Sequence, residues 1–360
     1  MQCKRISYFV RYKVAFEIAA PLSPMMRTCY VLLAFILLHA GRSVAQVSFF
    51  THLVTLPPEK ITLTCEWDSL IILKDESSRE ALLHVINGNG TEEWKTELSV
   101  RGRFRRAKCV FPPLEINLKK KALRDHGMME FDKLKLVTHC GTENADPADV
   151  FEELLIYQLY GILTPCSFRA IPLHIDYLHT NGKIFEKNAD ALLLEPTSEL
   201  AHRLHAQELE EYGVSEDSLD AMSYCRNALF QFMIGNFDWD YQTQRNVKMI
   251  GQPGQYHLVP YDFDFSAIVM PVYARMPSDF GLKDFRDRVY LGQLFPEQLQ
   301  PSIREFVEKK QELLAHVTNY PYLTKTRRRE VVTYLEQFYK FIEEPAQVIL
   351  HGTILPYRQE

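Results

Sequence analysis

The sequence predicts an α+β protein in which a β-rich N-terminal part precedes a helical C-terminal part. Between Val47 and about Thr138, short segments of alternating or β-branched residues are separated by turn-forming residues, as in antiparallel strands. From Pro147 onward, apolar residues recur at helical spacing. With 46% hydrophobic and 24% charged residues, the composition is that of a globular protein. We therefore expect two lobes, residues 46–145 and 146–360, with any binding cleft between them.

Each predicted element of the N-terminal lobe is a short segment with strand character. The segments are KITLTC, SLIIL, ALLHVI, WKTELSV, LEINL and KLKLVT. The turn sequence NGNG, Asn87–Gly90, favours a hairpin. We expect the strand WKTELSV to continue as RGRFRR, which would place Arg101, Arg103 and Arg105 on one face.

The C-terminal lobe mixes helices with a few strands. ADVFEELLIYQLYGIL predicts a helix that begins near Asp149, and FRAIPLHIDYL and NADALLLE predict intervening strands. A second helix, capped at Ser215, is predicted within SEDSLDAMSYCRNALFQFMIGN. NVKMI and YHLVP predict a hairpin across GQPGQ, and two amphipathic helices are expected after Pro301.

The N-terminus has the features of an export signal. A 12-residue apolar stretch, Cys29–Ala40, follows Arg27, and it is short for a membrane span, which needs about 20 residues. Ser43 and Ala45 are small residues at the positions that a signal peptidase reads, so we expect cleavage before Gln46. A buried core helix is the alternative interpretation of this stretch.

Removal of residues 1–45 changes the charge balance. This segment holds six of the 41 basic and one of the 46 acidic residues, which leaves 35 basic and 45 acidic residues, a net charge of −10. The negative electrostatic field of such a chain repels nucleic acid and anionic lipid, which argues against both as partners. We expect an exported protein, periplasmic, on the cell surface or secreted, with no stable membrane span after cleavage. Residues 1–24 make an overlong n-region, so Met25 or Met26 is a more natural start.

Five cysteines follow the expected cleavage point, and none lies in a CxxC pair or a His-flanked cluster that would predict a zinc site. In an oxidising compartment we expect one or two disulfides, with the pairing open. The five are Cys65, Cys109, Cys140, Cys166 and Cys225.

Two segments of the C-terminal lobe place aspartates among aromatic residues. They are GNFDWDYQTQRNVKMI and HLVPYDFDF. Burying a charged carboxylate among aromatic side chains costs desolvation free energy unless a cation or hydrogen-bond donors offset it. The loop with Asp238 and the pair Asp262 and Asp264 fall at the same end of the predicted hairpin. Two carboxylates and the amide of Asn246 are the oxygen ligands that Mg²⁺ takes together with phosphate and water.

A basic segment forms the second candidate site. Between Arg101 and Arg124 there are nine Lys and Arg residues and one acid, Glu115. Arginine binds phosphate oxygens through two parallel N–H groups, so Arg101 and Arg103 are candidates for phosphate binding. Gly102 between them allows a close approach. A solvated edge strand is the alternative, because basic residues commonly protect sheet edges.

These motifs resemble those of the CotH kinase family of spore-coat proteins and, more distantly, those of HipA-like kinases. GNFDWDYQTQRN followed by VPYDFDF resembles the Asp…Asn and Tyr/Trp-Asp motifs, and RGRFRR resembles the Arg-Gly motif. FEELLIYQLYGILTPCSFRAIPLHIDY is similar to the family's helix, Thr-Pro turn and strand. The resemblance spans roughly Ile61 to Ile268, is greatest to exported bacterial members, and implies an atypical kinase-like fold with two lobes.

The resemblance implies a kinase that binds Mg (or Mn) and ATP and transfers phosphate to a Ser or Thr of a protein acceptor. Asp238 would be the catalytic base, and Asn246 and Asp262 would hold the metal. Asp238 and Asn246 are eight residues apart, against about five in ordinary kinases, so Asp240 is an alternative base.

Kinases also hold the nucleotide phosphates with a lysine that a helix glutamate orients. Lys135 alternates with Leu134 and Leu136 in KLKLVT, so it faces away from them and is the first candidate, with Lys119 as the second. Glu153, on the helix that follows, is the candidate partner. A surface position for Glu153 is the alternative.

Two other functions compete with the kinase. The chain has no G-x-G-x-x-G loop, and ATP is scarce outside the cytoplasm, which favours a non-catalytic kinase-like binding module (a pseudokinase). DWD and DFD are D-x-D triplets, which suit a metal-dependent glycosyltransferase. Against the glycosyltransferase, no α/β nucleotide-binding half precedes these triplets.

Overall fold

A computed structural model describes residues 46–75, 77–141, 148–271, 273–275, 280–344 and 349–358. The predicted leader, residues 1–45, lies outside the described residues. From Val47 onward the chain forms one compact unit, with a closed barrel in its N-terminal part and helices toward its C-terminus. The predicted α+β class is confirmed at this level.

Seven strands form the barrel in the order β1-β2-β3-β4-β5-β7-β6. Neighbours pair in antiparallel fashion, except that β1 closes the barrel by running parallel to β6. Closure leaves no strand edge unpaired around the ring. The strands are β1 (Lys60–Cys65), β2 (Arg79–Asn87), β3 (Gly90–Val100), β4 (Leu114–Leu118), β5 (Lys133–Thr138), β6 (Ala170–His179) and β7 (Ile184–Leu194).

The hairpin between β2 and β3 turns at the predicted NGNG sequence, with Asn87 opposite Gly90. Gly90 has a φ of 125°, a conformation that suits glycine. The strands predicted from FRAIPLHIDYL and NADALLLE are also present, as β6 and β7. Although they lie beyond residue 146, both complete the barrel, so the barrel reaches Leu194.

The segment SLIIL is helical, and the expected strand there is wrong. It belongs to α2 (Trp67–Leu73), which follows the short helix α1 (Phe49–Thr55). Trp67 and Leu70, three residues apart, are buried on one side of α2, and Ile72 is exposed. A short apolar run has too little length for its period to separate a helix from a strand.

The remaining elements surround the barrel and build the helical part. The helices are α3 (Phe104–Lys108), α4 (Lys120–Asp125), α5 (Ala148–Leu163), α6 (Thr197–Arg203), α7 (Ala221–Ile234), α8 (Pro296–Thr318) and α9 (Lys325–Ile342). A sheet of order β10-β9-β8 comprises β8 (Gln207–Leu209), β9 (Val247–Gln252) and β10 (Gln255–Pro260), and a smaller one pairs β11 (Arg288–Val289) with β12 (Ile354–Leu355).

Two helix starts differ from the predictions. Helix α7 begins after Asp220, whose carboxylate accepts the Ser223 N–H at 2.8 Å, whereas Ser215 precedes only a single 3₁₀ turn. Helix α8 begins at Pro296, so Pro301 lies inside its first turns rather than before it. In both cases the chain supplies a second residue suited to a helix N-terminus close to the predicted one.

Two large hydrophobic cores stabilise the unit. One fills the barrel with inward-facing residues such as Leu63, Trp94 and Leu134. The other lies among α5, α7, α8 and α9, and it includes Val137 of β5 and Leu192 of β7, so the outer face of the barrel packs on the helices. Across the described ranges, no helix combines the length and apolar character needed to cross a membrane.

Candidate functional site

The loop that carries Asp238 leaves α7 through a glycine. Gly235 ends α7 with a φ of 66°, and a Cβ atom there would lie 2.2 Å from Tyr334 Oη. Phe237 and Trp239 on either side of Asp238 are both buried. Alternation along the loop therefore turns the Asp238 carboxylate away from this core and toward the cleft described below.

Asn246 holds Asp238 in position. Its Nδ2 atom donates to the Asp238 main-chain oxygen at 2.7 Å and to Asp238 Oδ2 at 2.9 Å. These bonds orient the amide, whose oxygen is an acceptor that can bind a donor or a cation. Arg245 contacts the other carboxylate oxygen, with Nε 3.2 Å from Asp238 Oδ1.

Asp240, the alternative base, is part of a turn. Its carboxylate accepts the N–H groups of Gln242 and Thr243 and the Thr243 hydroxyl. Its backbone pairs with Arg245 in both directions, at 3.0 and 2.9 Å. The Asp240 side chain does not line the cleft, whereas Asp238 does.

Asp262 and Asp264 follow β10 and lie beside this loop. The Tyr261 N–H donates to the Asn246 main-chain oxygen at 3.0 Å, which joins the two segments. Asp262 has a φ of 61°, a strained value for a non-glycine residue, and its N–H donates to Tyr157 Oη on α5 at 3.0 Å. Asp264 is buried and accepts the Tyr273 hydroxyl at 3.0 Å.

The arginines approach these acids from the barrel, but on a loop rather than on a strand. Strand β3 ends at Val100, and the chain continues through residues 101–103 into α3. The expectation that Arg101, Arg103 and Arg105 share one strand face is therefore wrong, and the edge-strand alternative fails for the same reason. We call residues 101–113, which connect β3 to β4, the arginine loop. Its two ends are joined where the Arg101 N–H donates to the Pro113 oxygen at 2.9 Å.

Arg105, on α3 within this loop, contacts β5 and α5. Its Nη2 atom donates to the Thr138 oxygen at 2.6 Å, and Nη1 is 3.9 Å from Glu153 Oε2. Glu153 thus pairs with Arg105, and among the described residues no salt bridge joins it to Lys135, contrary to the expected lysine–glutamate pair. The expected surface alternative is also wrong, because Glu153 is buried. Within the described structure, Arg105 Nε and Glu153 Oε1 are buried without hydrogen-bond partners.

Lys135 lies at the same end of the barrel. Its Nζ atom is 4.7 Å from the centre of the Tyr261 ring, and Tyr261 directly precedes Asp262. Burial, together with the charges of Arg101 and Lys248, lowers the pKa of the Lys135 ammonium to about 8. Lys119, the second candidate, is exposed beyond the opposite end of β4 from the arginine loop.

A cleft of about 460 Å³ brings most of the predicted residues together. Such a volume falls within the range of small-molecule sites. Lys135 and Glu153 are not among the lining residues. Those that line it are Arg101, Gly102, Arg103, Phe104, Arg105, Pro113, Asp238, Arg245, Asn246, Asp262, Asp264 and Phe265.

The acids of this region repel one another. Burial, followed by the charge of Asp262, raises the pKa of Glu153 well above its usual range, with Arg105 offsetting part of the effect. Burial and Asp262 likewise raise the pKa of Asp264, and burial raises that of Asp238. A bound cation would relieve this repulsion among the clustered carboxylates.

The donor set suits Mg²⁺ or Mn²⁺ shared with a ligand. No group of three or more His, Cys, Asp or Glu side chains in the described ranges is placed to hold a metal by itself. Mg²⁺ instead commonly takes one or two carboxylates and completes its shell with phosphate and water. Asp262, Asp264 and the amide oxygen of Asn246 fit that requirement.

Three features of the site were not predicted from the sequence. They are the ion pair of Arg245 with Asp238, the Arg105–Glu153 pair and the contact of Asp264 with Tyr273. One signal was present in the sequence: the FPP triplet after Cys109 argues against a continuous strand and for a loop.

One disulfide is present, as expected, and its pairing is Cys109–Cys140. It joins the C-terminal end of α3 to the end of β5, and Cys65, Cys166 and Cys225 are free. Disulfides persist mainly in oxidising compartments.

No protein family matches this chain, and comparison with curated proteins finds no significant similarity.

Proposed function

We propose that this chain is a kinase-like protein of the CotH type that binds a metal–ATP complex and transfers the γ-phosphoryl group to a Ser or Thr of a protein acceptor. The observation that carries the proposal is the composition of the cleft. The cleft is lined by arginines from the barrel side (Arg101 and Arg103) and, from the helical part, by the base candidate Asp238 and the candidate metal ligands Asn246 and Asp262. This is the set that phosphoryl transfer requires.

Each group has a role that its contacts support. Arg101 and Arg103, on the arginine loop, bind phosphate oxygens. In this role the arginine loop replaces the glycine-rich loop of ordinary kinases. Lys135 supplies a further positive charge next to Asp262. Asn246 and Asp262, with Asp264 beside them, hold Mg²⁺ or Mn²⁺. The bound metal neutralises negative charge on the phosphates.

Asp238 acts on the acceptor. The acceptor hydroxyl oxygen forms a bond to the γ-phosphorus, and the bond from that phosphorus to the β,γ-bridging oxygen breaks, which leaves ADP. The hydroxyl proton passes to the Asp238 carboxylate. Asn246 fixes this carboxylate through its two hydrogen bonds, so the carboxylate is oriented before the acceptor arrives.

Export is part of the proposal. The leader features of residues 27–45 and the Cys109–Cys140 disulfide both support an extracytoplasmic location, whether periplasmic, cell-surface or secreted. The acidic charge of the chain after residue 45 favours a nucleotide and a protein acceptor over nucleic acid as partners.

A binding module without catalysis is the second candidate, and one observation favours it. Glu153 pairs with Arg105, so the lysine–glutamate pair of active kinases is replaced. The glycosyltransferase has less support, because Asp240 of the DWD triplet caps a turn and only Asp238 of that triplet lines the cleft.

Phosphoryl transfer can be tested directly. The chain from Gln46 onward is incubated with γ-labelled ATP and Mg²⁺ or Mn²⁺, with and without dephosphorylated casein, and labelled Ser and Thr are measured. We expect transfer by the wild type and a loss of at least about 100-fold in Asp238→Asn. Nucleotide binding without transfer would favour the binding module, and transfer from a nucleotide sugar would refute the kinase.

A further inference from the structure

Arg245 lines the cleft, and the proposed roles do not include it. Its backbone is fixed by the paired hydrogen bonds with Asp240, and it directly precedes Asn246 in the chain. Its side chain is 57% exposed, lines the cleft and contacts Asp238 Oδ1 through Nε. A rigid backbone thus carries a long, solvated side chain next to the proposed base.

We propose that Arg245 is a catalytic arginine: it covers Asp238 in the nucleotide-free protein, and it moves to the γ-phosphate when the nucleoside triphosphate binds. This inference rests on the proposed function and adds to it a residue that recognises the transferred group. Its movement exposes the Asp238 carboxylate to the acceptor hydroxyl only when the donor phosphate is present.

The contacts of the other arginines support this assignment. Arg105 is held by the Thr138 oxygen and Glu153. Arg101 and Arg103 enter from the barrel side, whereas Arg245 contacts the base itself. Of these arginines, Arg245 is therefore the one nearest to the bond that forms between acceptor and γ-phosphorus.

The energetics also favour the exchange. An ion pair as exposed as Arg245–Asp238 contributes little net free energy, so it is readily given up. Arginine binds phosphate oxygens through two N–H groups in a geometry that matches them. During transfer, charge spreads over the three equatorial oxygens of the phosphoryl group, and an arginine in cis that contacts them accelerates the reaction by about 10³–10⁵.

The electron and proton balance of the step is unchanged by this residue. The acceptor oxygen donates an electron pair to the γ-phosphorus, the β,γ-bridging oxygen leaves with the pair of the broken bond, and the proton goes to Asp238. Arg245 remains protonated throughout, because its guanidinium does not lose a proton in proteins.

The test compares binding of ATP with binding of ADP. Calorimetric titrations of Mg-ATP and Mg-ADP are made on the wild type, Arg245→Ala, Arg245→Lys and Arg329→Ala. Arg329 is an exposed arginine on α9 that does not line the cleft, and it serves as the matched control. We expect Arg245→Ala to bind Mg-ATP at least 10-fold more weakly than the wild type, with Mg-ADP binding unchanged. Arg245→Lys should restore part of the loss, and Arg329→Ala should match the wild type.

The outcomes separate this inference from the function on which it rests. A wild-type protein that binds neither nucleotide refutes the proposed function, and the inference with it. A wild type that prefers ATP, with the same preference kept in Arg245→Ala, refutes the inference alone. Thermal melts without nucleotide check the fold, and we expect Arg245→Ala to melt close to the wild type because the side chain is exposed. If phosphoryl transfer is active, Arg245→Ala should lower kcat by at least 100-fold with little change in KM for the acceptor.

Discussion

Lys135 shows how a single residue can lower the stability of the empty protein. Its ammonium group lies close to the ring of Tyr261, near the positive charges of Arg101 and Lys248. The charged ammonium is less stable in this environment than in water, so the pKa of Lys135 falls from 10.5 to about 8. A bound polyphosphate would reverse this imbalance by supplying negative charge. Under the proposed function, the ligand would offset this cost.

We expect Lys135→Met to stabilise the empty protein at pH 7. Each unit of pKa shift corresponds to about 1.4 kcal/mol, so the gain in the free energy of unfolding is about 1–3 kcal/mol. Between pH 8 and about 10.5 the unfolded wild type binds more protons than the folded form, so wild-type stability rises with pH in this window. The advantage of the variant should therefore be full below pH 8 and mostly gone at pH 10. Denaturant titrations at pH 7 and pH 10 measure it.

Lys133→Met is the matched control, because Lys133 is exposed on the same strand. It should change the free energy of unfolding by little at either pH. A Lys135→Met variant that is less stable than the wild type at pH 7 would contradict this account. It would show that the ammonium group stabilises the fold instead of destabilising it.

The residues of the candidate site are partly predictable from the sequence. The clustering of Asp238, Asn246 and Asp262 in one cleft could be predicted, because their segments fall at the same end of the predicted hairpin. The Arg105–Glu153 pair could not be predicted, because it joins segments that are far apart in the chain. The contact of Arg245 with Asp238 is local, but it depends on how the loop folds, which periodicity does not report.

At the scale of elements, the arginine loop depends on the disulfide. Cys109 ends α3 and Cys140 follows β5, so the bridge ties the helix with Arg105 to the strand with Lys135. Hydrogen bonds reinforce the junction: the Phe111 N–H donates to the Cys140 oxygen, and Thr138 Oγ1 donates to the Phe111 oxygen. The loop over the cleft is thus anchored at the barrel.

We expect Cys109→Ser to lower the free energy of unfolding by about 3 kcal/mol, because the bridge closes a segment with a sequence separation of 31. Denaturant titration measures the loss. A reductant supplies the control: it should bring the wild type down to the stability of the variant and leave the variant unchanged. Equal stability of wild type and variant under oxidising conditions would contradict the bridge.

Elements with a long and regular period were predicted well, and short ones were not. Helix α5 and the β9–β10 hairpin match their predictions, because each has a clear apolar period or a turn sequence. SLIIL and RGRFRR were expected as strands and are not. In both, tertiary contacts decide the structure: Trp67 packs with Tyr177, and Arg105 binds the Thr138 oxygen.

At the scale of the whole molecule, α5 joins the two halves of the site. Glu153 on this helix pairs with Arg105 from the barrel side, and Tyr157 accepts the N–H of Asp262 from the helical side. The sequence predicted a β-rich part followed by a helical part. It did not predict that β6 and β7, which follow α5 in the chain, return to close the barrel, because the parallel pairing of β1 with β6 is nonlocal.

The central claim is that the cleft binds a metal and a nucleotide together, with Asp262 as a metal ligand. A ligand that contacts both halves should stabilise the folded protein, by about 2.7 kcal/mol at 100 times its Kd. Removal of the Asp262 charge also relieves repulsion with Asp264 and Glu153, so the fold of Asp262→Asn should survive. Asp217→Asn, which changes an exposed carboxylate outside the cleft, is the matched control.

Thermal melts of these three proteins, with and without Mg-ATP, test the claim most directly. We predict that Mg-ATP raises the melting temperature of the wild type and of Asp217→Asn by several degrees. Asp262→Asn should melt near the wild type without ligand and show no metal-dependent shift. An Asp262→Asn variant that melts lower than the wild type but keeps the full Mg-ATP shift would contradict the account, because Asp262 would then be structural and the metal would bind elsewhere.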